Sequence, residues 1–190
     1  MSEQAKAKKP GEIAADWWAS LQDQLRNGQP NPLGDRAARA RLRHADEDKA
    51  LADPVFFDLH HRLLQAGHVL PHGFNPSLRL ALVLVHVRED ERPTDGAPSW
   101  RGFGRAIGAP GFGESDKAPL KPLRFRRLLQ AKGDDIDEIT RQFRRAVDLA
   151  GGKVNVRDLA DILFYWNEKT RARLAFDYFA AASAAPVAQA

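Results

Sequence analysis

The stretch Asp134-Asp-Ile-Asp-Glu-Ile-Thr-Arg-Gln-Phe-Arg-Arg-Ala-Val-Asp-Leu-Ala150 decides the fold class. Its apolar residues Ile136, Ile139, Phe143, Val147 and Ala150 recur every three to four positions, which puts them on one stripe of an α-helix. Asp134, Asp135, Asp137 and Glu138 crowd the first turn. Such a group of acids could serve acid–base chemistry, but the macrodipole favours carboxylates at that end, so capping is the better account. Arg141, Arg144 and Arg145 lie opposite the apolar stripe. The stretch therefore reads as a helix with a core face and a basic face.

The same period runs outward in both directions. Downstream, helices are predicted over about 155–165 and 169–182; upstream, over 122–131 and over 99–107, the latter capped by Ser99. A Gly/Pro-rich loop over 108–119 separates these two. Nearer the start, Ile13, Trp17, Leu21 and Leu25 step by four, and Asn27-Gly28 closes that helix. A second helix is predicted over 34–45, a third from Pro54 to Gly67, and a fourth from Pro76 with Leu78, Leu82 and Val85 on one face. Residues 89–98 are charged and carry two prolines and a glycine, the signature of an exposed linker. There is no strand series and no repeat. The expected fold is all-α, two small helical bundles in tandem with about eight to nine helices. The bundles span 11–88 and 99–182, the linker 89–98, with disordered ends over 1–10 and 183–190.

Composition narrows the function classes. The 190 residues include 43% hydrophobic and 28% charged, which are globular proportions. With no cysteine there is no disulfide, no Cys-ligated zinc or iron–sulfur cluster and no thiol nucleophile. No apolar run is long enough to span a bilayer and the first ten residues lack a signal-peptide core, so a cytoplasmic protein without a membrane partner is expected. The net charge of +4 is unevenly placed: residues 99–150 carry eleven basic and seven acidic residues. Between Lys117 and Lys132 no acid interrupts Lys121, Arg124, Arg126 and Arg127. A surplus of this kind attracts polyanions, though charge runs also form ordinary solvated helix faces.

Catalytic patterns are weak. Gly102-Phe-Gly-Arg-Ala-Ile-Gly108 is one residue too long for a dinucleotide fingerprint and follows no strand. His60, His61, His68 and His72 cluster, but Gly67 and Pro71 break the helix that would align His68 with His72, and no carboxylate stands between them. A metal-dependent hydrolase is therefore disfavoured, and no cofactor, metal or catalytic residue is assigned. Val156-Arg-Asp-Leu-Ala160 through Trp166-Asn-Glu-Lys-Thr-Arg171 imitates a helix-turn-helix, with Phe164 or Tyr165 where the turn glycine belongs; a sequence-specific DNA-binding regulator is the alternative reading.

Arginines carry the stronger signal. Arg36, Arg39 and Arg43 share one helical face, with Leu42 turned to the core. Arg124 and Arg127 share another, Arg144 and Arg145 a third, and Lys169 and Arg171 open the last helix. Guanidinium forks on rigid helices suit phosphate, and with no interleaved aromatic platform the pattern predicts backbone rather than base recognition.

In this order the motifs resemble one family. They are Trp17-Trp18, Arg39-Ala-Arg-Leu-Arg43-His44-Ala45, the helix from Leu80 to Val87, Phe103-Gly-Arg105-Ala106, Arg124-Phe-Arg-Arg127-Leu128-Leu129-Gln-Ala131, Phe143-Arg144-Arg145, Leu159 through Trp166, and Tyr178-Phe179. The chain resembles the CasB-type small subunit of the type I-E CRISPR surveillance complex, Cascade. The resemblance implies an all-α, non-catalytic subunit that meets the backbone and large subunits of the complex, guide RNA, target and non-target DNA strands and a second copy of itself, and that stabilises the R-loop in antiviral defence. It implies nucleic-acid contacts at Arg43, Arg105, Arg124, Arg145, Lys169 and Arg171, with Arg39, Arg127 and Arg144 in second rank. His44 and Glu168 stand where the family often has basic residues.

Overall fold

Proline and side-chain caps set most of the helix starts. Pro10, Pro54, Pro76 and Pro122 stand in first turns, where a missing N–H leaves no bond unmade. Asp46, Asp53, Asp135 and Asn155 each accept a backbone N–H of the helix that follows, at 2.9–3.0 Å. The computed structural model describes residues 8–22, 25–26, 29–30, 36–91, 102–110 and 114–180. Among them the helices are α1 (Pro10–Ser20), α2 (Arg36–Arg43), α3 (Glu47–Leu51), α4 (Pro54–Gln65), α5 (Asn75–Leu84), α6 (Phe103–Ile107), α7 (Pro122–Gln130), α8 (Ile136–Leu149), α9 (Val156–Phe164) and α10 (Glu168–Ala180). Two-residue strands β1 (Leu25–Arg26) and β2 (Gln29–Pro30) pair antiparallel; β3 (Glu89–Asp90) and β4 (Lys153–Val154) pair parallel. The fold is all-α.

The core is built round α5. Every residue from Ser77 to Val85 is buried, so the helix is enclosed on its whole circumference rather than on the single face its period predicted. Helices α2, α4, α8 and α9 pack against it, and α1 lies across α4 and α9. Helices on both sides of residues 92–101 thus share one core. Trp17 and Trp18 fasten α1 by donating their indole N–H groups to the carbonyls of Val55 and Val87, both at 3.3 Å. Phe143 on α8 packs edge-on against Trp166 and stacks on Phe103.

Helix α9 organises its neighbours with two aspartates. Asp161 accepts the N–H of Gly11 at 2.9 Å, and Asp158 accepts that of Phe103 at 2.7 Å, so each supplies an N-terminal acceptor to a helix it does not belong to. Asp90 does the same for α9, accepting the N–H of Val156 at 2.9 Å. Gly104 lets α6 lie flat on α10: a Cβ there would sit 2.6 Å from the Cβ of Asp177 and 3.0 Å from the carbonyl of Leu174. The glycine pattern weighed above for phosphate binding therefore serves helix packing.

Boundaries differ from expectation in places. The first helix ends at Ser20, and Leu25, expected to continue it, lies in β1 paired with Pro30. Helix α3 was not anticipated, α6 begins at Phe103 from Gly102, and α10 starts at Glu168. Asn27-Gly28, Ser99, residues 92–98 of the expected linker 89–98, residues 1–7 of the expected disordered start 1–10, and the expected tail 183–190 lie outside the described residues; Glu89 and Asp90, expected in the linker, form β3, and Pro10 opens α1.

Candidate nucleic-acid interface

The last turn of α5 leaves carbonyls without helical donors, and arginines from two other helices reach them. Arg144 on α8 donates Nε to the Leu82 carbonyl at 2.9 Å and Nη2 to the Ala45 carbonyl at 3.2 Å. Arg43 on α2 donates Nε to the Val85 carbonyl at 2.7 Å. Each cation also meets the negative pole of α5. Burial holds the Arg144 guanidinium below its usual range, against a smaller opposing pull from Asp137. These two residues fix α2, α5 and α8 in one corner before any ligand is considered.

Above that corner opens a cleft of about 590 Å³ lined by His44, His86, Asp137, Arg141, Arg144 and Arg145, among others. Arg145 is exposed and makes no hydrogen bond or ion pair among the described residues. Arg141 is paired with Glu138 on its own helix. His86 follows α5, and its Nε2 is buried without a hydrogen-bond partner among the described residues. Burial, then the charge of Arg144, and more weakly that of Arg43, push its pKa down to about 4, with Asp148 pulling the other way. At neutral pH His86 is uncharged, and the cleft's positive potential comes from arginine.

The remaining candidates fall elsewhere. Arg39 is half-buried on α2 near Arg43 and bonds the Gln22 side chain; burial, Arg43 and Arg36 all disfavour its charged form. Arg105 is half-buried on α6, where its charge acts on Asp177. Arg124 is half-buried and Arg127 exposed on α7, neither with a hydrogen bond or ion pair among the described residues. Arg171 donates to the Leu129 carbonyl at 3.4 Å and lies 6.0 Å from the Trp166 ring centroid, which ties the start of α10 to the end of α7. Lys169 is exposed and opens on a separate cleft with Lys9 and Arg173. The structure thus gathers Arg39, Arg43, Arg144 and Arg145 round α5, brings Arg171 to α7, and leaves Arg105 and Lys169 apart.

Sequence reasoning missed His86 and Arg79. His86 is the first polar residue after the apolar run, which is the one available signal. Arg79, on α5, is buried and directs its guanidinium to the carbonyl of Phe164, the last residue of α9, at 3.5 Å. The histidine cluster serves the fold: His60 bonds Ser77 at 2.9 Å and the Pro71 carbonyl at 3.2 Å, and His68 bonds the Lys8 carbonyl at 2.7 Å. No group of three or more metal-ligating side chains occurs among the described residues. In the segment that imitates a helix-turn-helix, α10 packs on α6, Arg173 is paired with Asp158 at 3.0 Å, and Arg171 is engaged as above. Of the cations at the start of that helix, Arg171 and Arg173 are thus already held, and Lys169 stays exposed.

The family model for CRISPR-associated protein Cse2 matches residues 38–179, three quarters of the chain. The chain belongs to the Cse2 family. Helices α3 to α9, nearly all of α2 and α10, and every candidate arginine and lysine lie inside the matched span. A chain in the crystal structure of E. coli Cascade bound to a PAM-containing dsDNA target has a similar fold. The two align with a TM-score of 0.52 at 16% identity, over 89% of this chain and 95% of that one. No curated protein matches. In this Cse2-family chain α1 precedes the family span, yet it is bonded to α9 through Gly11 and Asp161.

Proposed function

We propose that this chain is a non-catalytic small subunit of a type I-E Cascade complex. On this reading it contacts the backbones of guide RNA and target DNA and stabilises the R-loop, beside the backbone and large subunits and a second copy of itself. Family membership and the fold shared with a chain of a DNA-bound E. coli Cascade support the assembly. One observation carries the nucleic-acid role: the cleft at the end of α5, where Arg145 stands exposed beside two arginines rigidly fastened to backbone carbonyls. An R-loop is a near-balanced exchange of one duplex for another, so a few phosphate contacts shift it. Cations on fixed helices supply such contacts without reading sequence.

The test compares two variants in the reconstituted guide-RNA complex. Arg145→Ala leaves the melting temperature of the subunit unchanged and lowers the slope of log affinity against log salt by about one. Arg144→Ala strips donors from two carbonyls and destabilises the subunit by about 2–3 kcal/mol. Unchanged R-loop retention and unchanged salt slope in Arg145→Ala would refute the reading of the cleft.

A further inference from the structure

Helix α10 has two apolar faces where a surface helix needs one. Leu174 and Tyr178 are buried, and Tyr178 stacks flat on Phe125 of α7 while donating its hydroxyl to the Leu120 carbonyl at 2.7 Å. The other face carries Lys169, Ala172, Phe176 and Phe179 in steps of three and four, all exposed. Phe176 is 71% and Phe179 59% exposed. Phe179 touches Phe125 edge-on, with ring centroids 6.1 Å apart, so this outer face abuts α7.

Helix α7 contains no acidic residue, and Arg124 and Arg126 flank Phe125 along it. Arg124, Arg126 and Arg127 make no hydrogen bond or ion pair among the described residues. Exposed rings beside an unneutralised cationic helix are the parts of a single-strand binding surface: rings stack on bases of any sequence while cations follow the phosphates. A protein partner would have to supply several carboxylates to the same rim; a nucleic-acid strand brings one anion per residue. Along the helix axis Phe176 and Phe179 are about 4.5 Å apart, so neighbouring bases of one strand can reach both.

We infer that the outer face of α10 is a stacking platform for unpaired bases, with the α7 arginines holding the strand's phosphates. The inference rests on the nucleic-acid reading above but concerns a different surface, one that the absence of an interleaved aromatic pattern in the sequence had argued against. The probe is a thymidine-run oligodeoxynucleotide with one 2-aminopurine, bound to the full-length chain and compared with a duplex of equal length. Stacking quenches the fluorophore. Phe176→Ala, and Phe176→Ala with Phe179→Ala, weaken single-strand binding by about tenfold or more and abolish the quench. Duplex affinity and the salt slope stay the same, and circular dichroism confirms folding. Arg126→Ala keeps the quench and lowers the single-strand slope by about 0.7.

Unchanged single-strand affinity in Phe176→Ala overturns the inference, as does a wild-type chain that binds no oligonucleotide. Loss of assembly into the complex with single-strand binding intact also overturns it and makes the face a protein-docking surface. The cleft reading stands or falls separately, on Arg145→Ala.

Discussion

A guanidinium can face water or the end of another helix, and residue identity does not say which. Arg43 and Arg144 were legible as basic positions, but their acceptors lie 42 and 62 residues away in the chain, on a helix end whose position is set by the whole core. His86 was invisible for the same reason: its environment is made by Arg43, Arg144 and Asp148, contributed by other elements. Its pKa in the fold lies near 4, below the ordinary value of 6.5, so the unfolded chain binds the proton more readily. The resulting stability is present above pH 6.5 and is lost as pH falls from there towards 4. Melting temperatures taken across that window should fall in the wild type and fall less in His86→Gln. Parallel curves would show that His86 contributes nothing to acid sensitivity. The comparison must be made against the variant, because burial raises the pKa values of Asp161 and Asp177, which act in the opposite direction.

At the level of helices, period was a reliable guide where the element was long and one-sided. Helix α8 lies within the expected stretch because its apolar stripe spans fourteen residues and Asp135 caps it. Helix α3, with five residues, is shorter than two turns and offers no period to read. Leu25 extended the spacing of α1 by coincidence, since α1 ends at Ser20. Contact between α6 and α10 was unreadable for another reason: close approach is written in what Gly104 lacks. Gly104→Ala places a methyl against the Asp177 side chain and the α10 backbone, and should lower stability by about 1–3 kcal/mol in chemical denaturation. A change below about 0.5 kcal/mol would mean that the two helices can slide apart without penalty.

For the molecule as a whole, helices from both ends of the chain cover α5, and the buried side chains form one cluster. Unfolding should therefore be a single transition, coincident by circular dichroism and by tryptophan fluorescence. Trp17 and Trp18 report one side and Trp166 the other; two separated transitions would show that the halves melt independently. Net charge is a poor guide at this scale. Arg79, Arg43, Arg144 and Arg171 are engaged with helix-terminal carbonyls and Arg173 and Arg157 with carboxylates, whereas the α7 arginines, Arg145 and Lys169 are among the cations left to meet a polyanion.

The two aspartate bonds at the first turn of α9 have one more result. Asp90 holds the N–H of Val156, and two residues further on Asp158 holds the N–H of Phe103. The two edges of the stretch 92–101, residues 91 and 102, are therefore held close together beside the start of α9. Lengthening the stretch adds little closure entropy, since that cost grows only logarithmically. A fluorescent reporter spliced in there would leave both pins intact. So would a circular permutation opened in that stretch, because residues 91 and 102, from which its new ends would run, are pinned side by side against α9.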